Sequence, residues 1–146
     1  MPAICAVTAP SPVSYLRLVP NRWAPTLIDL VRQDRGACLR ICPVFAADTP
    51  EETARQFNIE FRACDAAASP YLALGAVIFA GVDGIGRALP LPTPGGAAPS
   101  LPRSLIAALD NFAASETALG WFGAVHRDAY LRFKRVDRDP RQSRSW

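Results

Sequence analysis

Five charged residues recur in patterns that could gather anions: Arg17, Arg35, Arg40, Glu60 and Arg62. An arginine presents a planar fork of donors that matches a carboxylate or phosphate through two parallel hydrogen bonds. A glutamate supplies the oxygen that a hard divalent cation prefers. In Ile59-Glu60-Phe61-Arg62, apolar and charged residues alternate. The period of two in a strand sends Ile59 and Phe61 to a core-facing side, and Glu60 and Arg62 to the other. Arg40 lies in a second β-leaning run, Ala37 to Val44, where it shares a face with Cys38 and Cys42, opposite Leu39 and Ile41. Arg17 stands on the less apolar face of a strand predicted from Ser14 to Val19 and ended by Pro20. Arg35 belongs to a turn. Taken singly, an arginine and a glutamate two apart on a strand are an ordinary solvated pair, contributing under ~1 kcal/mol.

The elements that must hold these residues can be read in order. Met1 to Val13 carries three prolines and little periodicity, and reads as an irregular lead-in. Pro20 to Pro25 is a proline-bracketed flap with Trp23 at its tip, which either projects or folds back on the core. Thr26 to Val31 and Ala37 to Val44 are predicted to form a hairpin around Arg32-Gln33-Asp34-Arg35-Gly36, with Gly36 available for the tight turn. Phe45 to Gln56 is polar and predicted to loop outward as a mobile segment. Ser69 and Pro70 suit the cap and first position of a helix from Tyr71 to about Ile85. That helix is apolar on nearly all sides, which predicts a buried element behind the strands. Arg87 to Pro102 is a proline- and glycine-rich surface excursion. Ser104 caps a helix to about Ala114 with Leu105, Ala108, Leu109 and Phe112 on one stripe. A last helix, Ala124 to Val136, carries Val125, Ala129, Phe133 and Val136 at helical spacing, and a charged tail follows.

Composition limits the functions open to this chain. Its 146 residues are 50% hydrophobic, enough for one ordinary core. The net charge is only +3, yet fifteen of the sixteen basic residues are arginines, which fits either a GC-rich genome or anion-binding forks. The apolar run Tyr71 to Val82 is shorter than the ~20 residues that span a bilayer, and the N-terminus lacks the basic region of a signal peptide. A cytoplasmic protein without a membrane partner is therefore expected. Arg138, Arg141 and Arg144 have no interleaved aromatics for base stacking, so no nucleic-acid partner is expected. Cys5, Cys38, Cys42 and Cys64 form no Cys-x-x-Cys pair and His126 is distant in sequence, so zinc spacing is lacking. The cysteines read first as reduced, partly buried thiols, with disulfides or a reactive cysteine as the other possibility. His126 and Lys134 read as helix surface.

Three motifs in register carry a family resemblance: Ser14-Tyr15-Leu16-Arg17-Leu18-Val19-Pro20, Arg35-Gly36-Ala37-Cys38-Leu39-Arg40-Ile41, and Ile59 to Arg62 leading through Pro70-Tyr71-Leu72 to Ala80-Gly81-Val82-Asp83-Gly84-Ile85. From about Ala9 to Arg135 the chain resembles the C-terminal part of the glutamine synthetase catalytic domain, nearest the branch that joins glutamate to other amines. The resemblance implies an ATP-dependent carboxylate-amine ligase acting through an acyl phosphate, with ATP and Mg²⁺ or Mn²⁺ as cofactors and glutamate and an amine as substrates. It implies that Arg17 holds the amino-acid carboxylate, Arg35 stabilises the transferring phosphoryl, Arg40 contacts ATP phosphates, Arg62 binds the carboxyl being activated and Glu60 is a metal ligand. Two departures stand out. Trp23 occupies the flap position where glutamine synthetases proper carry a glutamate, which removes a base for ammonium and favours a bulkier amine. Asn58 replaces another ATP-contacting arginine.

The implied fold is α+β: a curved, mainly antiparallel sheet, part of the family's barrel-like catalytic domain, with Arg17, Arg40, Glu60 and Arg62 on one concave face and the Tyr71 helix behind. Residues 1–137 are expected to be the incomplete C-terminal part of that domain and 138–146 a charged tail. The family's N-terminal domain, most metal-binding glutamates, its metal-binding histidine and part of its ATP site lie upstream of the motifs present here. Two functional classes follow: a ligase represented by its C-terminal part, working as a homo-oligomer or in complex with the missing N-terminal half, or an inactive remnant or partner-binding module. An exposed sheet edge and exposed apolar surface are expected in either case.

Overall fold

The computed structural model describes residues 1–91 and 98–137. The charged tail, 138–146, and residues 92–97 of the Arg87 to Pro102 excursion thus lie outside the described residues. Ser104 begins the element that organises the core: its hydroxyl accepts from the Ala107 N–H at 3.1 Å and starts helix α4, Leu105–Ala114. The predicted stripe Leu105, Ala108, Leu109 and Phe112 is buried, with Phe112 fully so. Phe112 meets the rings of Phe122 and Tyr130 edge-on, at centroid distances of 5.2 and 6.1 Å.

The other side of this core is the N-terminal segment, which is not an irregular lead-in. A 3₁₀ turn, Pro2–Ile4, runs into helix α1, Cys5–Thr8, and residues Ile4 to Ala9 are all buried. Both elements pack on α4. Short apolar helices of one or two turns carry too few residues to display a period, which is why the pattern is invisible in sequence.

Ser14 to Val19 is not a strand either. Pro12–Leu16 forms a 3₁₀ helix closed by a reciprocal cap between Ser11 and Ser14, with Pro12 in the first turn. The Ser-Pro-x-Ser spacing is a helix-start signature, and it overrides the two-residue alternation. Its last turn delivers Arg17 at the C-cap.

The sheet has three short strands in the order β1 (Leu30–Arg32), β2 (Leu39–Ile41), β3 (Ile59–Phe61). β2 and β3 are antiparallel, with Arg40 opposite Glu60. β1 and β2 pair in parallel, so the expected hairpin does not form. The chain leaves β1 through Gln33, whose φ is +62°, and is redirected by an Asp34 side chain that accepts from the Gly36 N–H at 2.7 Å. Cys38 then donates to the Asp29 carboxylate at 2.8 Å and Leu39 to the Asp29 carbonyl at 3.0 Å, which sets the parallel register.

Between β2 and β3 lies a surface helix, α2, Pro50–Gln56, where an outward loop was expected. Thr49 and Glu52 form a reciprocal capping box, the Thr-Pro-x-Glu signal for a helix start. α3, Pro70–Gly86, matches its predicted position but not its burial. It packs on α1 and on α5, Glu116–Phe122, rather than behind the sheet. Only Ala73 and Ala76 are buried, while Tyr71, Leu74, Ile78, Val82 and Ile85 are exposed. An all-round apolar helix specifies no face, and here its small residues make the contact. α6, Ala124–Asp137, buries neither Val125, Phe133 nor Val136; Tyr130 and Leu131 face the core instead. The Tyr130 hydroxyl donates to the Ala6 carbonyl at 2.6 Å and ties the last helix to the first. The architecture is α+β, and no helix among the described residues is long and apolar enough to cross a membrane.

Candidate active site

Glu60 is the centre of the charged face. Its Oε2 accepts from Arg40 Nη1 at 3.0 Å and its Oε1 from Arg62 Nη1 at 2.7 Å. The antiparallel register places Arg40 directly across from Glu60, and the period of two places Arg62 on the same side. The two arginine side chains are largely covered, at 18% and 16% exposure, whereas Glu60 is 41% exposed. Two partly buried guanidiniums on one carboxylate leave the cluster with one net positive charge. That field suits an anion more than an extra cation.

Arg62 joins the sheet to its loops. Its Nε donates to the Arg35 carbonyl at 3.0 Å and its Nη2 to the Trp23 carbonyl at 3.1 Å. The turn after β1 and the flap are thereby pinned to the end of β3. Arg35 itself is exposed at this rim. Arg17 approaches from the 3₁₀ helix: Nη2 donates to the Cys64 carbonyl at 2.9 Å, and Nη1 reaches the Arg62 carbonyl at 3.3 Å. The structure therefore brings Arg35, Arg40, Glu60 and Arg62 to one end of the sheet, with Arg17 holding the backbone beneath them. Arg17 and Arg40 each keep a buried Nε without a partner. Unsatisfied buried donors are costly, and a ligand oxygen is one means of satisfying them.

The flap projects. Trp23 is 78% exposed and does not fold back on the core. Its φ of +51° is a left-handed conformation costing a bulky residue on the order of 1 kcal/mol, held here by the bond from Arg62 to its carbonyl. Behind it lies a pocket of about 500 Å³ lined by Pro20, Asn21, Trp23, Ala24, Thr26, Asp34 and Gly36. Sequence reasoning passed over Asp34; its signal is the Asp-x-Gly turn spacing, which fixes one carboxylate oxygen. Asn58 is exposed, and its side-chain amide donates to the Gln56 carbonyl at 3.1 Å.

The cysteines are free thiols. Burial pushes Cys5 up to about 11 and Cys38 up to about 12, and Cys64 is also raised, mainly by burial. All three are protonated and poorly nucleophilic near neutrality. As a divalent-cation site the described residues fall short: no three of their histidines, cysteines and carboxylates come together, and both Glu60 oxygens already accept from arginines.

Comparison with known proteins agrees with this arrangement. The family model described as glutamine synthetase, catalytic domain, matches residues 1–145. The gamma-glutamylpolyamine synthetase of Streptomyces coelicolor is 46% identical over 92 residues, 63% of this chain and 19% of that protein. The glutamine synthetase of Methanocaldococcus jannaschii is 31% identical over 151 aligned positions, covering 94% of this chain and 32% of that protein. Among solved structures, a crystal structure of a glutamine synthase homologue superposes with a TM-score of 0.79 at 41% identity, covering 93% of this chain and 31% of that one. A GmaS/ADP complex superposes with a TM-score of 0.75 at 26% identity over 99% of this chain and 34% of that one. The chain thus spans about a third or less of the length of these proteins.

Proposed function

Because the chain belongs to the glutamine synthetase catalytic-domain family, we propose that residues 1–137 are the C-terminal part of an ATP-dependent ligase that joins glutamate to an amine through γ-glutamyl phosphate. The observation that carries this reading is the Arg40–Glu60–Arg62 cluster with the turn of Arg35 fastened to it. Phosphoryl transfer depends on positioning and on fixed positive charge around phosphate oxygens, which forked donors at one sheet end supply. In this assignment Arg40 contacts ATP phosphates, Arg35 stabilises the phosphoryl in transit, Arg62 binds the carboxyl being activated and Arg17 the substrate's other carboxylate. The amine nitrogen then adds to the acyl carbon, phosphate leaves with the C–O electron pair, and the amine's surplus proton is lost.

Mg²⁺ or Mn²⁺, when bound, neutralises phosphate charge. Glu60 supplies one oxygen at most, so the remaining ligands must come from outside these residues. The working enzyme is therefore assembled, as a homo-oligomer or with the N-terminal half of the domain. The lack of any three-ligand group among the described residues favours a second reading for the chain alone, an inactive remnant or partner-binding module.

Phosphate release with ATP, Mg²⁺, glutamate and an amine panel separates the two. The chain alone is expected to be inactive, and the chain with the upstream half active unless Arg62 is replaced by alanine. Turnover by the chain alone that vanishes in Arg62→Ala would overturn the binding-module reading. A preference for ammonia would overturn the reading of Trp23.

A further inference from the structure

We propose that Asp29 is a positioning residue for the phosphate-handling arginines: its carboxylate clamps the start of β2, and through that clamp it sets where Arg35 and Arg40 stand. This rests on the ligase reading above and adds a residue that acts through the two arginines rather than on a substrate. The sequence poses the question. Asp29 is the one charged residue in the β-leaning run Thr26-Leu27-Ile28-Asp29-Leu30-Val31, and aspartate is depleted from strands.

Topology supplies the answer. β1 and β2 are adjacent and parallel, yet only residues 33–38 join them. Parallel neighbours ordinarily need a crossover of about a dozen residues or more, and a connection this short has no room for one. It is tied at three points instead. At its start the Gln33 N–H donates to the Ile41 carbonyl at 2.9 Å, midway the Arg35 carbonyl accepts from Arg62 Nε at 3.0 Å, and at its end the Asp29 carboxylate accepts from the Cys38 N–H at 2.8 Å. Two of these ties use a side chain: that of Arg62, already assigned to the site, and that of Asp29. Cys38 is fully buried, so its N–H has no water to turn to when the carboxylate is withdrawn, and bonds to an ionised acceptor are the stronger class. The residues flanking the clamp give it a function. Arg40 stands two residues after Cys38, opposite Glu60, and Arg35 three residues before it. A β2 that slides or lifts carries Arg40 away from Glu60 Oε2, now 3.0 Å distant, and slackens the turn that presents Arg35. Arg17 and Arg62, assigned to the substrate's carboxylates, come from the 3₁₀ helix and β3, so the effect falls first on the nucleotide.

Two variants separate acceptor geometry from charge. Asp29→Asn keeps the side-chain acceptor at the same reach and loses the charge, whereas Asp29→Glu keeps the charge and moves it by one methylene. In the assembled enzyme, Asp29→Asn is expected to stay within about twofold of the parent, and Asp29→Glu to lose roughly tenfold to a hundredfold in kcat/KM for ATP, the scale of a catalytic group displaced by about 1 Å. KM for glutamate should change less than KM for ATP. On the isotope-labelled chain, Asp29→Glu is expected to move the Arg40 side-chain NMR signal and to speed hydrogen exchange at the Cys38 amide. Asp29→Asn should leave both near the parent.

Full nucleotide efficiency in Asp29→Glu, loss of it in Asp29→Asn, or KM values for ATP and glutamate that rise together each overturn the proposal. Unfolding of Asp29→Glu overturns it too, since a clamp local to β2 leaves the core around Phe112 intact. The two levels are told apart by the parent enzyme. A parent assembly that turns over while Arg40 keeps its signal in Asp29→Glu sinks this inference and leaves the ligase standing. A parent assembly that forms no amide sinks the ligase, and the Arg40 and Cys38 signals then decide whether Asp29 clamps the charged face.

Discussion

The core around Phe112 and the sheet around Glu60 are built on opposite principles. The core joins the first nine residues to α4 and α6 mainly by apolar contact: Ile4, Cys5, Val7, Leu109 and Phe112 are almost wholly buried, and no charged side chain belongs to the buried cluster. The sheet has no fully buried residue in its strands, yet holds its geometry through ion pairs and through guanidinium bonds to backbone carbonyls. Burial is worth most where water is excluded, whereas exposed charge pairs contribute little to stability. Stability and chemistry should therefore separate by mutation. The largest effect belongs to the core: Phe112→Ala removes a ring packed against two others and is expected to lower unfolding free energy by about 3–5 kcal/mol in urea titration. A loss under about 1 kcal/mol would show that the core is not centred there.

Arg62→Ala sharpens the contrast from the other side. It removes the donors for Glu60, Arg35 and Trp23, and leaves Glu60 paired with Arg40 alone. The expected stability loss is about 1–3 kcal/mol, smaller than for Phe112, while ATP-dependent phosphate release by the assembled enzyme should disappear. Arg62→Lys keeps the charge but cannot reach Glu60 and two carbonyls at once, so it should restore little of the activity. Full activity in Arg62→Ala would remove the cluster from the catalytic site.

The legibility of these two regions in sequence differed for the same physical reason. The α4 stripe was visible because ten residues display a helical period, and its Ser104 cap because the spacing of cap and helix start is local. The shared face of Glu60 and Arg62 was visible because the strand period is local too. What was hidden depends on distant partners. The parallel pairing of β1 and β2 is set by Asp29 reaching Cys38 and Leu39, and the buried position of Cys5 to Thr8 is set by α4. α3 was placed correctly and oriented wrongly, since an all-round apolar surface does not say which side will be covered. Its exposed Tyr71, Leu74, Ile78 and Ile85 now form apolar surface of the kind the sequence led one to expect somewhere on the molecule.

The buried thiols offer a comparison by pH. Cys5 and Cys38 are both inaccessible, and burial raises each from the ordinary value of 9.0, to about 11 and about 12. A folded value above the unfolded one contributes stability that is present below the unfolded value and lost as pH rises through the folded value. The core should therefore weaken between about pH 9 and 12, by on the order of 1 kcal/mol per thiol per pH unit at most. Tyr15 and Tyr130, also raised by burial, extend the loss to higher pH. Urea titrations at pH 8 and 10.5 check this, with Cys5→Ala and Cys38→Ala expected to reduce the difference between the two pH values. An unchanged pH dependence in both variants would place the alkaline loss elsewhere.

The smallest expected effect separates two serines that look alike in sequence. Ser69 and Ser104 both stand immediately before a helix, and both read as caps. In the fold only Ser104 caps with its side chain, accepting from the Ala107 N–H at 3.1 Å; Ser69 occupies the N-cap position of α3 with no side-chain bond. Pro70 follows Ser69 and has no N–H to satisfy, so the local demand for an acceptor is already lower there. Ser104→Ala should therefore cost about 1 kcal/mol, since it frees a helix donor at the edge of the core. Ser69→Ala should stay within about 0.5 kcal/mol of the parent chain. Parallel urea titrations of the two variants decide the matter, and equal losses would mean that the Ser69 hydroxyl caps α3 in solution as well.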